Sequence, residues 1–300
     1  MDLARALGGT VINADAMQTY RDLRILTARP TPTDEAALPH ALYGIRDAAE
    51  PSTAAWWRGA ALAAMAQARA ADRVPILCGG TGLYFAALRE GLADIPDPGP
   101  DARAEARRLL AEIGAPALHA RLAAADPATA ANLRPTDGQR LARAWEVLAG
   151  TGHGLAHWQR AAPAFAPAAP WRFAAILLDP PRDALRAAIA ARFETMLEAG
   201  AGDEVRALLA RDLDPALPLL RAHGVPELAA HLRGEITLAE AGRRAVLATG
   251  RYTKRQATWF RHHALADPGH AHTIHARYAG VAQFPESLLP ALRSFVQPPG

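Results

Sequence analysis

Several short stretches of this 300-residue chain carry side chains that could do chemistry. Asp15 closes the apolar run at residues 10–12, with Gln18, Thr19 and Tyr20 directly behind it. An acid where a buried strand ends sits at the ligand-binding edge of an open α/β sheet, which makes it a candidate base; the same acid could simply cap the next helix. Gly79-Gly80-Thr81-Gly82 follows a second apolar run, residues 73–78. Glycines there can let backbone amides face an anion, or can serve a tight strand-to-helix turn. The stretch is not a Walker A loop, and the chain's one lysine, Lys254, is followed by Arg255.

The remaining candidates are basic. Arg140 and Arg143, in the run Gln139-Arg140-Leu141-Ala142-Arg143, share a helix face, and Arg103, Arg107 and Arg108 add charge nearby. Such faces are either solvated or turned to RNA. Arg192 is suited to bidentate contact with a phosphate. Arg221, His223 and Gly224 combine a base, a possible acid/base group and a flexible hinge. Residues 251–261 interleave bases and aromatics, with Tyr252, Arg255 and Trp259 near one helix face, a pattern suited to a flexible RNA loop or to an amphipathic helix with a basic outer side.

These groups need a scaffold, and the hydrophobic pattern supplies one. Residues 10–12, 73–78 and 171–179 read as buried strands, the second opening a βα unit. Ser52 is expected to cap a helix with its body at residues 54–71. Residues 182–210 read as one helical region broken near Gly200 and Gly202, followed by helices at 226–232, 237–247 and 249–263. Pro-rich segments at 95–100 and 161–170 bracket a helical block. The expected organisation is an α/β core formed by residues 1–97 and 170–265, a helical insertion at 98–169, and a C-terminal tail at 266–300.

Composition narrows the class. Half of the residues are apolar, enough for a sizeable core, and the net charge is +3. A sequence pI near 9.4 permits an anionic partner without requiring one. The single cysteine, Cys78, excludes an intrachain disulfide, no Cys/His group has zinc spacing, and no run of about 20 apolar residues is present, so a cytoplasmic protein without membrane association is expected.

Taken in order, the segments VINADAMQTYRDL, TARP, RVPILCGGTGLYFAAL, GQRLARAWEVL, residues 192–196, RAHGVPEL and TGRYTKRQATWF resemble the bacterial tRNA dimethylallyltransferases. The likeness runs from residue 3 to about residue 261. It implies an α/β fold of the P-loop NTPase type, with a parallel sheet and an all-helical insertion domain. It also implies transfer of a dimethylallyl group from dimethylallyl diphosphate to the N6 amine of the adenosine beside the anticodon, in tRNAs reading codons that begin with U. Asp15 would be the general base, and Asp15, Ala16, Met17 and Gln18 would touch the flipped-out base. Thr81, Arg103, Gln139, Arg140, Leu141, Ala142, Arg143, Arg221, His223, Gly224, Lys254 and Arg255 would contact the tRNA anticodon stem-loop. Arg192 would hold the diphosphate and, with Asp15 and Thr81, form the catalytic set.

The family opens with a strand and a GPTxxGKS/T loop, whose Ser/Thr would ligate Mg²⁺; this sequence contains neither, and no metal ligand is assigned. Leu26, Arg29, Ala188 and Gly250 also depart from the family pattern. The expectations that follow are a start site inside the helix after that loop, little transfer activity, and a monomer. Two competing readings are a nucleotide or small-molecule kinase, and a tRNA-binding remnant without chemistry.

Overall fold

The computed structural model describes residues 1–160 and 171–296. The chain divides into two compact units, Met1–Arg89 with Ala168–Gly300, and Glu90–Pro167. The second begins at Glu90, ahead of the expected insertion boundary at residue 98. The expected linker at 161–170 lies outside the described residues.

The first unit contains strands β1 (Gly9–Asn13), β2 (His40–Ala41), β3 (Val74–Cys78), β4 (Ala175–Leu178) and β5 (Ala271–Ile274). Helices α1 (Asp2–Leu7), α2 (Pro32–Ala37), α3 (Ala54–Ala70) and α4 (Gly82–Glu90) alternate with the first three strands along the chain, and α1 and α3 pack on β1 and β3. Later in the chain come α9 (Arg182–Glu198), α10 (Ala201–Leu209), α11 (Val225–Leu232), α12 (Leu238–His262) and α13 (Leu288–Val296). The second unit holds α5 (Gly99–Ala125), α6 (Pro127–Ala130), α7 (Gly138–Thr151) and α8 (Leu155–Arg160).

β1 is buried along its whole length, as a strand covered on both faces must be. It lies between β2 and β3 in a parallel sheet, with Val11 opposite His40 and Asn13 opposite Cys78. β4 and β5 form a separate parallel pair. Ile12, Trp57, Met65, Tyr84 and Leu88 fill the core beneath β1, where the Trp57 and Tyr84 rings stack at 4.3 Å. Tyr20, Leu23, Phe193, Val205, Leu219 and Leu228 form a second core under α9–α12.

Local chemistry revises four expectations. Thr53, not Ser52, caps α3 by accepting the Trp56 amide, while Ser52 joins the Tyr20 and Tyr84 hydroxyls. The pair expected at 237–263 is one helix, α12, because Gly250 costs only about 1 kcal/mol relative to Ala and the packed face outweighs it. The block expected to be helical from 101 to 151 is interrupted: α5 kinks at Gly114 (φ 75°), and Asp126 and Asp137 start α6 and α7 as caps. The C-terminal tail at 266–300, to which the sequence reading assigns no element, supplies β5 and α13 to the first unit. Four residues of alternating exposure were too short a pattern to register as a strand.

Candidate active site

Asp15 lies just past the carboxyl end of β1, and the buried side chain of Asn13 holds it there. Asn13 Oδ1 accepts the Asp15 amide at 2.8 Å, and Asn13 Nδ2 donates to the Asp15 carbonyl at 2.9 Å and to the Leu42 carbonyl at 3.1 Å. Trp57 Nε1 donates to the Asn13 carbonyl at 2.8 Å. Asn13 is therefore a saturated buried hub, and the sequence reading passed over it because an Asn at a strand end suggests only a turn.

The two oxygens of Asp15 differ, and the capping role falls to one of them. Oδ1 accepts the amides of Met17 at 2.9 Å and Gln18 at 3.4 Å, capping a short turn at Met17–Thr19. Oδ2 has no hydrogen-bond partner among the described residues. Burial pushes the carboxyl pKa above its ordinary 3.8, opposed by the two amides and then by the charges of Arg192 and His223. Arg192 is exposed on α9 and forms no ion pair with any described carboxylate, which leaves its guanidinium available to an anion. Burial and then the Arg255 charge push His223 below its usual pKa.

The glycine turn after β3 packs against Asp15 rather than opening as a cradle. Thr81 N donates to the Ala14 carbonyl at 3.1 Å, and Thr81 Oγ1 accepts the Ala16 amide at 2.9 Å. A Cβ on Gly79 would come within 2.2 Å of Ala14 backbone, and one on Gly82 within 2.4 Å of the Trp259 ring. These glycines are needed for close packing. Thr81, expected to meet RNA, spends an oxygen lone pair on the segment that carries Asp15.

The inner face of α12 carries Tyr252, Gln256, Trp259 and Phe260, while Arg251, Lys254, Arg255 and Arg261 are exposed. The expected grouping of Arg255 with Tyr252 and Trp259 is corrected to this extent: Arg255 rests over the Tyr252 ring at 5.3 Å but belongs to the outer stripe. No described carboxylate pairs with that stripe, whereas Glu240 holds Arg243 and Arg244 near the other end of the helix. His223 packs against Tyr252 with ring centroids 5.0 Å apart.

Other expected contacts are redirected by burial. Gln18 uses Nε2 to hold the Thr27 and Ala28 carbonyls at 2.9 and 3.0 Å. Gly224 is buried, with φ 95° and its α-carbon packed on Leu26, so it serves the turn into α11; Arg221 beside it is exposed. Leu141 is fully buried in the core of the second unit and cannot offer its side chain to RNA. Gln139, Arg140 and Arg143 are exposed on α7, where Arg140 pairs with Asp137 and Arg143 with Glu146; Ala142 is half-buried. Arg103 pairs with Asp97. Exposed pairs of this kind contribute at most about 1 kcal/mol, so a phosphate can displace the carboxylate.

A family model described as IPP transferase matches residues 18–263. A tRNA dimethylallyltransferase of Gluconacetobacter diazotrophicus is 62% identical over 94% of this chain and 85% of its own length. One of Acidiphilium cryptum is 63% identical over 98% and 88%. The crystal structure of the full-length tRNA isopentenylpyrophosphate transferase of Bacillus halodurans superposes with a TM-score of 0.63 at 30% identity, covering 98% of this chain and 89% of that one. A eukaryotic dimethylallyltransferase crystallised acting on tRNA shares the fold, with a TM-score of 0.68 at 23% identity over 86% of this chain and 65% of that one.

Proposed function

The chain belongs to the IPP transferase family, and on that premise we propose that it transfers a dimethylallyl group from dimethylallyl diphosphate to the N6 amine of the adenosine beside the anticodon of tRNA. Relatives matched over 94 and 98% of this chain bear the transferase name, so the expectation of little activity is not borne out. The observation that carries the reading is the divided Asp15 carboxylate: Oδ1 is fixed by two amides, and Oδ2 is free at the strand end.

In the reaction the amine nitrogen attacks the allylic carbon, the new C–N bond forms, and the C–O bond to the diphosphate breaks. The diphosphate leaves with the bonding pair. Asp15 Oδ2 takes the amine proton, which turns a poor nucleophile into a competent one. Arg192 holds the diphosphate and neutralises the charge that grows on it. The stripe on α12 and the exposed bases Arg103, Arg140, Arg143 and Arg221 engage the RNA backbone.

The resemblance also implies Mg²⁺. Among the described residues no group of three or more His, Cys, Asp or Glu side chains could hold a metal ion. Asp15 has one oxygen committed to amides and needs the other as the base. The residues present do not fit a protein-held Mg²⁺, and no step above passes through one.

Radiolabelled dimethylallyl diphosphate with an unmodified anticodon stem-loop tests the reading. Label is expected in the RNA with the wild-type chain, and incorporation should fall about 10²–10⁴-fold with Asp15→Asn. Undiminished transfer by that variant would remove Asp15 as the base.

A further inference from the structure

The turn that carries Thr81 is gripped from two directions. From β1 it is tied by the Thr81–Ala14 and Ala16–Thr81 hydrogen bonds. From α12 it is tied by Gln256, whose Nε2 donates to the Gly80 carbonyl at 3.0 Å. Residue 80 has to be glycine for this to happen, because a Cβ there would lie 2.2 Å from Gln256 Nε2. The same point is 4.0 Å from Asp15 Oδ2, so residue 80 lies between the Gln256 amide and the free oxygen of Asp15 with no room for a side chain toward Gln256. The Tyr252 hydroxyl, one helical turn earlier, lies against both Thr81 and Gln256. A continuous path thus runs from Gln256 through Gly80 and Thr81 to Ala16, the residue next to Asp15.

That path starts on the helix with the unpaired cationic stripe. Arg255 and Gln256 are adjacent in the chain, one turned outward and the other inward. A phosphate bound by the outer residues would be held on the same helix that grips the turn through Gln256. Binding energy gained far from the reacting atoms is then spent on their geometry, which raises kcat rather than affinity.

We infer that Gln256 is a positioning residue: it fixes Gly80 and Thr81, and through them Asp15, and so transmits RNA engagement on α12 to the base. The inference rests on the transfer reading given above. Gln256→Glu keeps the side-chain length and packing but removes the donor and sets an oxygen against the Gly80 carbonyl; Gln256→Ala serves as a second variant. In the folded free protein, the Ala16 amide should exchange with solvent about 10-fold faster in Gln256→Glu, with Val11 and Ile12 unchanged. At saturating tRNA, kcat should fall about 10²-fold, as expected for a misplacement near 1 Å, while Kd for unmodified tRNA stays within about threefold. Adding Thr81→Val should lower kcat no further than Thr81→Val alone, because both changes cut one path.

Unchanged Ala16 protection in folded Gln256→Glu overturns the inference. So does an unchanged kcat, or a loss confined to Kd, which would make Gln256 a plain RNA contact. A wild-type chain that transfers nothing, yet shows the expected Ala16 response in the variant, would sink the transfer reading and leave the positioning path standing.

Discussion

When backbone amides hold one oxygen of a carboxylate, they stabilise the charge shared by both, so the groups around Asp15 Oδ1 also set the basicity of Oδ2. Burial works the other way and dominates, which leaves a stronger base than an exposed aspartate. Two predictions follow at this scale. The rate of transfer should rise with pH through an acid limb above the ordinary 3.8, and Arg192→Gln should move that limb higher by removing a charge that lowers the Asp15 pKa. A pH profile of kcat/KM for both proteins checks the direction. The second concerns stability. A carboxyl whose pKa is raised by folding binds its proton more tightly in the native state, so its contribution to stability declines as pH rises from 3.8 through the folded value. Asp15→Asn keeps an oxygen for the Met17 and Gln18 amides, so it should raise Tm at pH 7–8, with the gain vanishing at low pH. A lower Tm at neutral pH would contradict burial as the dominant influence.

At the scale of elements, the glycine turn makes a graded prediction, because each added methyl meets something different. Gly79→Ala meets backbone and should be the most destabilising. Gly82→Ala meets the Trp259 ring, an overpacking expected to cost about 1–3 kcal/mol. Gly80→Ala meets only the movable end of Gln256, so it should fold nearly as well as wild type yet lose kcat. Urea denaturation and transfer assays on the three variants test the order. The same turn shows what the sequence could disclose. Apolar runs and glycines announced β1, β3 and the turns, and a carboxylate at a strand end announced a candidate site. Which of two jobs the glycines do depends on what packs over them, and Gln256 and Trp259 stand more than 170 residues away in the chain. Asn13 was opaque for the same reason, since the partners that make it a hub, Leu42 and Trp57, come from other elements. Leu42 itself holds a left-handed φ of 66° that no residue type announces.

For the whole molecule, the cationic stripe on α12 predicts how RNA affinity answers salt. Lys254→Ala and Arg255→Ala should each weaken binding across sequences and lower the slope of log K against log salt by about 1. An unchanged slope would remove those residues from the RNA backbone interface. The Pro-rich segment at 95–100 suggests an insertion boundary at residue 98, and the second unit begins at Glu90. The closing of the first unit by its last segment was not readable, since a four-residue strand carries almost no pattern. That strand has a further consequence for how the chain is made. β4 emerges from a ribosome about 100 residues before β5, its only ladder partner among the described residues, so nascent β4 waits with both edges open. At about 5–20 residues per second, the interval lasts on the order of 5–20 seconds, long enough for a chaperone to matter to the yield of native enzyme.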